Sequence, residues 1–102
     1  MILKDLINKL EAMDQNAVVD NGFSTPHSDR GDYSELAFHP EETAKVSDML
    51  KYAKSALGAT FTGWKGGEFK MGEYTPVHIG EYGTCGEEIN SAHFRLWEIS
   101  EK

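Results

Sequence analysis

Glycine is concentrated in the second half of this 102-residue chain, and this limits what the chain can fold into. Seven of the ten glycines fall between residues 63 and 86. Glycine is unfavourable inside a helix, and here it recurs too often for a long helix to form. Between the glycines the apolar residues follow a period of two, which is typical of short strands. The sequence therefore predicts strands around Phe61, at 68–71 and at 75–79.

Two segments before residue 59 instead have the period of amphipathic helices. Near the N-terminus, apolar residues recur at intervals of three and four and form one stripe: Leu3, Leu6, Ile7, Leu10 and Met13. A second stripe of this kind comprises Met49, Leu50, Ala53 and Leu57. We expect Ser47 to be the N-cap of the second helix and Gly58 to follow its C-terminus.

Further segments with β-favouring or alternating residues complete the pattern. Strands are predicted at 17–19 and at 33–38, the second ending before Pro40. Alternation over 93–99 predicts a last strand with Phe94 and Leu96 on one face. The resulting order, α-β-β-α-β-β-β, predicts a single α+β domain over residues 1–102, in which two helices pack on an antiparallel sheet.

Composition excludes several classes of protein. The only cysteine is Cys85, so neither an intrachain disulfide nor a cysteine-based zinc site can form, and we expect no metal and no cofactor. A net charge of −7 disfavours direct nucleic-acid binding and favours a basic partner. No apolar run approaches the roughly 18 residues that span a membrane, and no signal peptide is recognisable. A cytoplasmic protein is therefore predicted.

Two polar segments are candidates for a binding site. They are GFSTPHSDRGDY at 22–33 and TFTGWKGGEFKMGEYTP at 60–76. Adjacent glycine N–H groups can form an anion-binding nest, cationic side chains bind phosphate oxygens, and aromatic rings stack on bases. If the two segments converge, the ligand-binding residues would be Ser24, His27, Ser28, Arg30, Tyr33, Trp64, Lys65, Gly66, Gly67 and Tyr74.

The same residues also have a purely structural interpretation, because turns collect Gly, Pro, Ser and Asp for their backbone preferences alone. The acidic pairs Glu41-Glu42 and Glu87-Glu88 are interpreted as solvated turns. No nucleophile–base pair is recognisable, so no catalytic residue is predicted. Hydrolysis of a bound ligand stays open, with His27 as the acid or base.

The segments PHSDRGDYSELAF and KSALGATFTGWKGGEFKMGEYTPVHIGEYG resemble a family of small accessory proteins encoded by bacteriophages and prophages. The resemblance covers roughly residues 3–90. It implies a counter-defence role in the cytoplasm of the host cell, by analogy with phage proteins that sequester cyclic-nucleotide immune signals or block the nucleic-acid-binding surfaces of host proteins.

Two hypotheses for the function follow. The first is a binding protein, or sponge, that sequesters a phosphate-bearing small molecule such as a linear or cyclic nucleotide immune signal, in a pocket shared between the subunits of a homo-oligomer. The second is an acidic inhibitor that binds a basic, nucleic-acid-binding host defence protein. Its motivation is the net charge, and notably Glu81, Glu87 and Glu88 in one short region.

Overall fold

The computed structural model describes residues 1–28, 36–62, 68–70, 72–80 and 86–100. Within these ranges the elements are α1 (Leu3–Glu11), β1 (Val18–Ser28), β2 (Leu36–Lys45), α2 (Val46–Ala56), β3 (Thr60–Thr62), β4 (Glu68–Lys70), β5 (Val77–Ile79), β6 (Glu87–Glu88) and α3 (Ser91–Ser100). Helices packed on a sheet confirm the predicted α+β class. A third helix joins the two that the sequence predicts.

The main sheet has four strands in the order β1-β2-β5-β6, and β3 pairs with β4 in a separate two-stranded sheet. β1 and β2 form an antiparallel hairpin, and β6 runs antiparallel to β5. β2 and β5 are parallel, however, so the sheet is mixed rather than purely antiparallel. Parallel neighbours require a long crossover connection, and the chain between β2 and β5, which contains α2, is long enough to supply it.

β2 continues seven residues past Phe38, to Lys45, so the prediction that Pro40 follows the end of this strand is wrong. β5 pairs with β2 only over Leu36–Phe38. Beyond that point β2 pairs with β1, and Pro40 lies opposite Phe23. Proline lacks the N–H that a central strand needs, but it is tolerated where a strand has one neighbour.

The first two helices begin without a side-chain cap. The first N–H groups of α1 donate instead to carbonyl oxygens of the segment before β5, Leu3 N to Thr75 O and Lys4 N to Glu73 O, both at 2.8 Å. α2 uses the carbonyls before β1 in the same way, because Val46 N donates to Ala17 O at 2.9 Å. Backbone carbonyls thus satisfy donors that a side chain usually caps.

The predicted N-cap of α2 is therefore wrong by two residues. Lys45 is the N-cap, and Ser47 already lies inside the helix, where its N–H donates to Gln15 O at 3.2 Å. The predicted C-terminus is correct. Gly58 follows the C-cap with φ of 79°, a left-handed conformation that glycine adopts without strain.

Residues 93–99 form part of α3, so the predicted last strand is wrong. Phe94 and Trp97 are 5% and 1% exposed, whereas Leu96 is 58% exposed. An i, i+3 pair shares one face of a helix, while an i, i+2 pair lies on opposite sides. Apolar residues on both faces of α3 produce an alternation that resembles a strand in the sequence.

Trp97 attaches α3 to the sheet. Its ring contacts Phe94 edge-on at a centroid distance of 4.8 Å and lies 6.0 Å from Phe23 of β1. Its Nε1–H donates to the carbonyl oxygen of Asn21 at 3.0 Å. Asn21 has φ of 56°, a left-handed conformation that asparagine tolerates better than most residues.

One hydrophobic core joins the sheet and all three helices. Its largest fully buried side chains are Trp97, Phe23, Phe38, Leu3, Leu6, Leu10, Leu36, Met49, Ile89, Val19 and Val46. Among the helices of the described residues, none has the length and apolar character needed to cross a bilayer.

The helical assignment of α3 makes a testable prediction about two adjacent residues. Trp97→Ala should lower the free energy of unfolding by about 3–5 kcal/mol, because it removes a buried ring and leaves the Asn21 carbonyl without its donor. Leu96→Ala should change it by about 0.5 kcal/mol or less, because Leu96 is exposed. Urea unfolding measures both. A larger loss for Leu96→Ala than for Trp97→Ala would contradict the helix and support the strand.

Candidate functional site

The start of α3 is fixed by two reciprocal hydrogen bonds. Asn90 Oδ1 accepts from the N–H of Ala92 at 2.8 Å, and His93 Nδ1 accepts from the N–H of Asn90 at 3.1 Å. This is a capping box in which histidine replaces the usual Glu or Gln. Because Nδ1 accepts, the neutral ring carries its proton on Nε2. The cap therefore sets both the start of the helix and the orientation of the His93 ring.

A cleft of about 370 Å³ lies between α3 and the sheet. We call it the α3 cleft, and its lining residues are Asn21, Gly22, Pro40, Glu41, Ile79, Glu87, Ala92, His93 and Leu96. Pro40, Ile79, Ala92 and Leu96 give it apolar walls. A mostly apolar cleft with a few polar groups is the usual form of a binding site, and this one lies at the small end of the common size range.

Charged groups in the α3 cleft come from two strands that are far apart in the sequence. Glu41 belongs to β2 and Glu87 to β6, with β5 between them in the sheet. Among the described lining residues there is no lysine or arginine.

The interpretation of both acidic pairs as turns is wrong, since Glu41 and Glu42 lie within β2 and Glu87 and Glu88 form β6.

Glu41 is held in place by a neighbouring strand. Its Oε2 accepts a hydrogen bond from Ser24 Oγ at 2.8 Å and lies 3.9 Å from His39 Nε2. The register of β1 against β2 shifts by one residue between Phe23 and Pro26, so that β1 has one extra residue there. Such irregularities redirect side chains, and the Ser24 hydroxyl within this segment reaches Glu41.

A second cleft, of about 360 Å³, also borders Glu41. Its lining includes Ser24, Lys45, Asp48 and Tyr52, together with Phe23, Thr43 and Ala44. Acidic and basic side chains are both present, so this cleft favours neither anions nor cations. Across the described part of the chain, no group of three or more His, Cys, Asp or Glu side chains is arranged to hold a metal.

Most of the predicted ligand-binding residues lie outside the described ranges: Arg30, Tyr33, Trp64, Lys65, Gly66 and Gly67. Ser28 is described only as the last residue of β1. Whether the two polar segments meet therefore stays a prediction. The remaining three residues contact different parts of the structure. Ser24 donates to Glu41, as above, while the exposed Tyr74 ring lies 6.0 Å from Lys4 Nζ of α1.

His27 belongs to a row of side chains that crosses the sheet. Its direct partner in β2 is Ala37, followed by His78 in β5 and Glu88 in β6. His27 Nε2–H donates to the carbonyl oxygen of Gly80 at 2.8 Å, so this nitrogen is used within the fold. At the other end of the row, the Met1 ammonium donates to Glu88 at 2.8 Å.

No family model matches the sequence, and no curated protein or solved structure is significantly similar to it. The α3 cleft must therefore be interpreted from its own residues. The sequence analysis assigned Glu41 to a solvated turn rather than to a site, and no local pattern could have placed it in one cleft with Glu87. His93 was overlooked, although Asn90-Ser91-Ala92-His93 has the spacing of a capping box.

The capping box predicts how α3 responds to substitution of His93. His93→Ala should lower the free energy of unfolding by about 1 kcal/mol, because it leaves the Asn90 N–H without its acceptor. His93→Gln should lower it less, because glutamine offers an acceptor at the same helix position. Urea unfolding compares the two variants, and equal losses would contradict the capping role.

Glu88 predicts a dependence of stability on pH. Its hydrogen bond to the Met1 ammonium and the charge of that group hold the pKa of this carboxyl below its ordinary value, and His78 acts in the same direction. A lowered folded-state pKa stabilises the fold above the unfolded-state pKa, and the stabilisation is lost as pH falls through the folded-state value.

Wild type should thus be slightly more stable than Glu88→Gln at neutral pH, and this difference should disappear in acid. The effect is small and sensitive to salt, because Glu88 is exposed. Urea unfolding of both proteins across this pH range measures it. Glu87→Gln is the matched control, and an equal pH-dependent difference for that variant would refute the role of the Met1–Glu88 pair.

Proposed function

We propose that the protein is a binding protein that recognises a basic partner through the α3 cleft. The observation that carries this proposal is that Glu41 and Glu87 both line a cleft whose described lining has no lysine or arginine. The net charge of −7 extends the same preference to the whole molecule. This is the second of the two hypotheses that the sequence suggests, and the acidic lining of the α3 cleft supports it.

The surroundings of the two carboxylates support binding of a cation. Apolar walls lower the local dielectric constant, so that a cation is attracted more strongly there than on an open surface. The hydrogen bond from Ser24 holds Glu41 before a partner arrives, which reduces the entropy lost on binding. The methylenes of a lysine or arginine side chain would cover the walls while the charged end reaches a carboxylate.

The cleft suits a side chain of a partner protein, because it is small, and the whole chain carries a net charge of −7. Such a surface accelerates encounter with a basic protein, and the acceleration weakens as salt rises. Nucleic-acid-binding proteins present basic surfaces of this kind. A host defence protein as the target stays a prediction from the resemblance to phage accessory proteins.

Capture of a phosphate-bearing ligand also stays a prediction. In the α3 cleft the two carboxylates would repel a phosphate, so its site would have to be formed by Arg30, Lys65 and the glycines of the second polar segment. Thermal-shift measurements with a panel of linear and cyclic nucleotides test it separately. A rise in melting temperature that survives the loss of Glu41 and Glu87 would favour this function.

A pair of matched variants tests the proposed function. Glu41→Gln/Glu87→Gln removes both cleft carboxylates, and Glu11→Gln/Glu42→Gln removes two exposed carboxylates outside the cleft with the same change in net charge. The partner is captured from cell lysate on immobilised protein, identified by mass spectrometry and purified. Calorimetric titration then gives its affinity for wild type and for each variant.

We expect a partner rich in lysine and arginine, and an affinity at least about tenfold weaker for the cleft variant than for wild type, since close interfacial charge pairs contribute about 1.5 kcal/mol or more. The control variant should lose far less. Equal losses in both variants would mean that net charge acts without the cleft, and an unchanged affinity of the cleft variant would refute the proposal.

A further inference from the structure

An apolar stripe runs along the outer face of α3, opposite its buried side. It consists of Ala92, Leu96 and Ile99, at the i, i+4 and i+7 positions that align on one helix face. Leu96 is 58% exposed and Ile99 is 82% exposed. We call these three residues the outer stripe. A helix that is apolar on its solvent side as well as its core side is unusual in a protein without partners, and such faces mark interaction sites.

The outer stripe is continuous with the α3 cleft. Ala92 and Leu96 line the cleft as well as the stripe, and Ile99 extends the apolar surface away from it. At a rise of 1.5 Å per residue the stripe is about 10 Å long, or two turns of a helix. One end of an elongated apolar surface is thus bordered by Glu41 and Glu87.

We infer that the outer stripe and the α3 cleft together bind an amphipathic basic helix of the partner protein. The inference rests on the proposed function and adds the form of the partner. Apolar side chains at i, i+3 or i+4 spacing would pack on Leu96 and Ile99, and a lysine or arginine at one end would reach the cleft carboxylates. A helix matches the stripe because two helices pack side by side through rows of this spacing.

Charge complementarity selects this occupant over a second copy of the chain. Each copy carries a net charge of −7, so self-association through this face would bring two acidic surfaces together. A basic helix instead neutralises the carboxylates as it covers the apolar residues. Neither the charged contact nor the apolar contact alone specifies the partner. The carboxylates orient the basic helix, and the outer stripe requires that this helix has an apolar face.

Two synthetic peptides of identical composition test the inference. Each has about 18 residues, enough for an isolated helix, and contains leucine, lysine, arginine, alanine and glutamine. In one the leucines form a single helical stripe with the cations at one end, and in the other the same residues are scrambled. Fluorescence anisotropy measures the affinity of both peptides for wild type, for Ile99→Ser and for Glu41→Gln/Glu87→Gln.

We expect the ordered peptide to bind wild type at least about tenfold more tightly than the scrambled one, and Ile99→Ser to lose about tenfold for the ordered peptide alone. Leu57→Ser is the matched control, because Leu57 is also an exposed aliphatic residue, 47% accessible, but lies at the end of α2. It should bind both peptides as wild type does.

The outcomes separate this inference from the proposed function. Suppose that both peptides bind wild type equally and that both lose affinity for Glu41→Gln/Glu87→Gln. This result would overturn the inference but would not contradict the proposed function. Equal affinity of the ordered peptide for wild type and for Glu41→Gln/Glu87→Gln would overturn the proposed function. Failure of wild type to bind the ordered peptide would overturn the inference, as would a wild-type dimer in sedimentation experiments that Ile99→Ser dissociates, since the stripe would then be covered by a second copy.

Discussion

The contact between Trp97 and β1 is the interaction on which the α3 cleft and the outer stripe depend. A buried indole must both exclude water from its ring and find an acceptor for its N–H. The rings of Phe23 and Phe94 shield the indole ring from water, and the Asn21 carbonyl oxygen accepts its N–H. Together they set the position of α3 over the sheet. The α3 cleft exists because the helix is held there by one buried face while its other face stays exposed.

The cleft and the outer stripe are formed by different levels of structure. The stripe is a property of one helix, since three residues of α3 align by helical spacing alone. The cleft needs all four strands of the main sheet and the helix. Its lining includes Gly22 of β1, Glu41 of β2, Ile79 of β5 and Glu87 of β6. If the surface binds the partner that we propose, the combination of cleft and stripe gives it both an apolar and an electrostatic requirement, which is more selective than either alone.

Sequence patterns predicted the fold where one face of an element is apolar and the other polar. α1 and α2 are of this kind, and Gly58 marked the end of α2 correctly. The same reasoning failed for α3, because apolar residues on both faces obscured the helical period. A capping box from Asn90 to His93 was present in the sequence as a local signal for the helix. The candidate site could not be predicted this way, since Glu41 and Glu87 line one cleft only because β2, β5 and β6 lie side by side in the sheet.

The amino-acid sequence by itself determined the α+β class, the acidic surface and the positions of the first two helices, because residue spacing and composition act locally. Only the tertiary structure decided where these helices begin, since their first N–H groups bond to backbone carbonyls of other segments. It also decided that β2 and β5 run parallel and that two glutamates share one cleft. Backbone carbonyls and strand neighbours carry no residue-specific signal, so no pattern in the sequence could reveal those contacts.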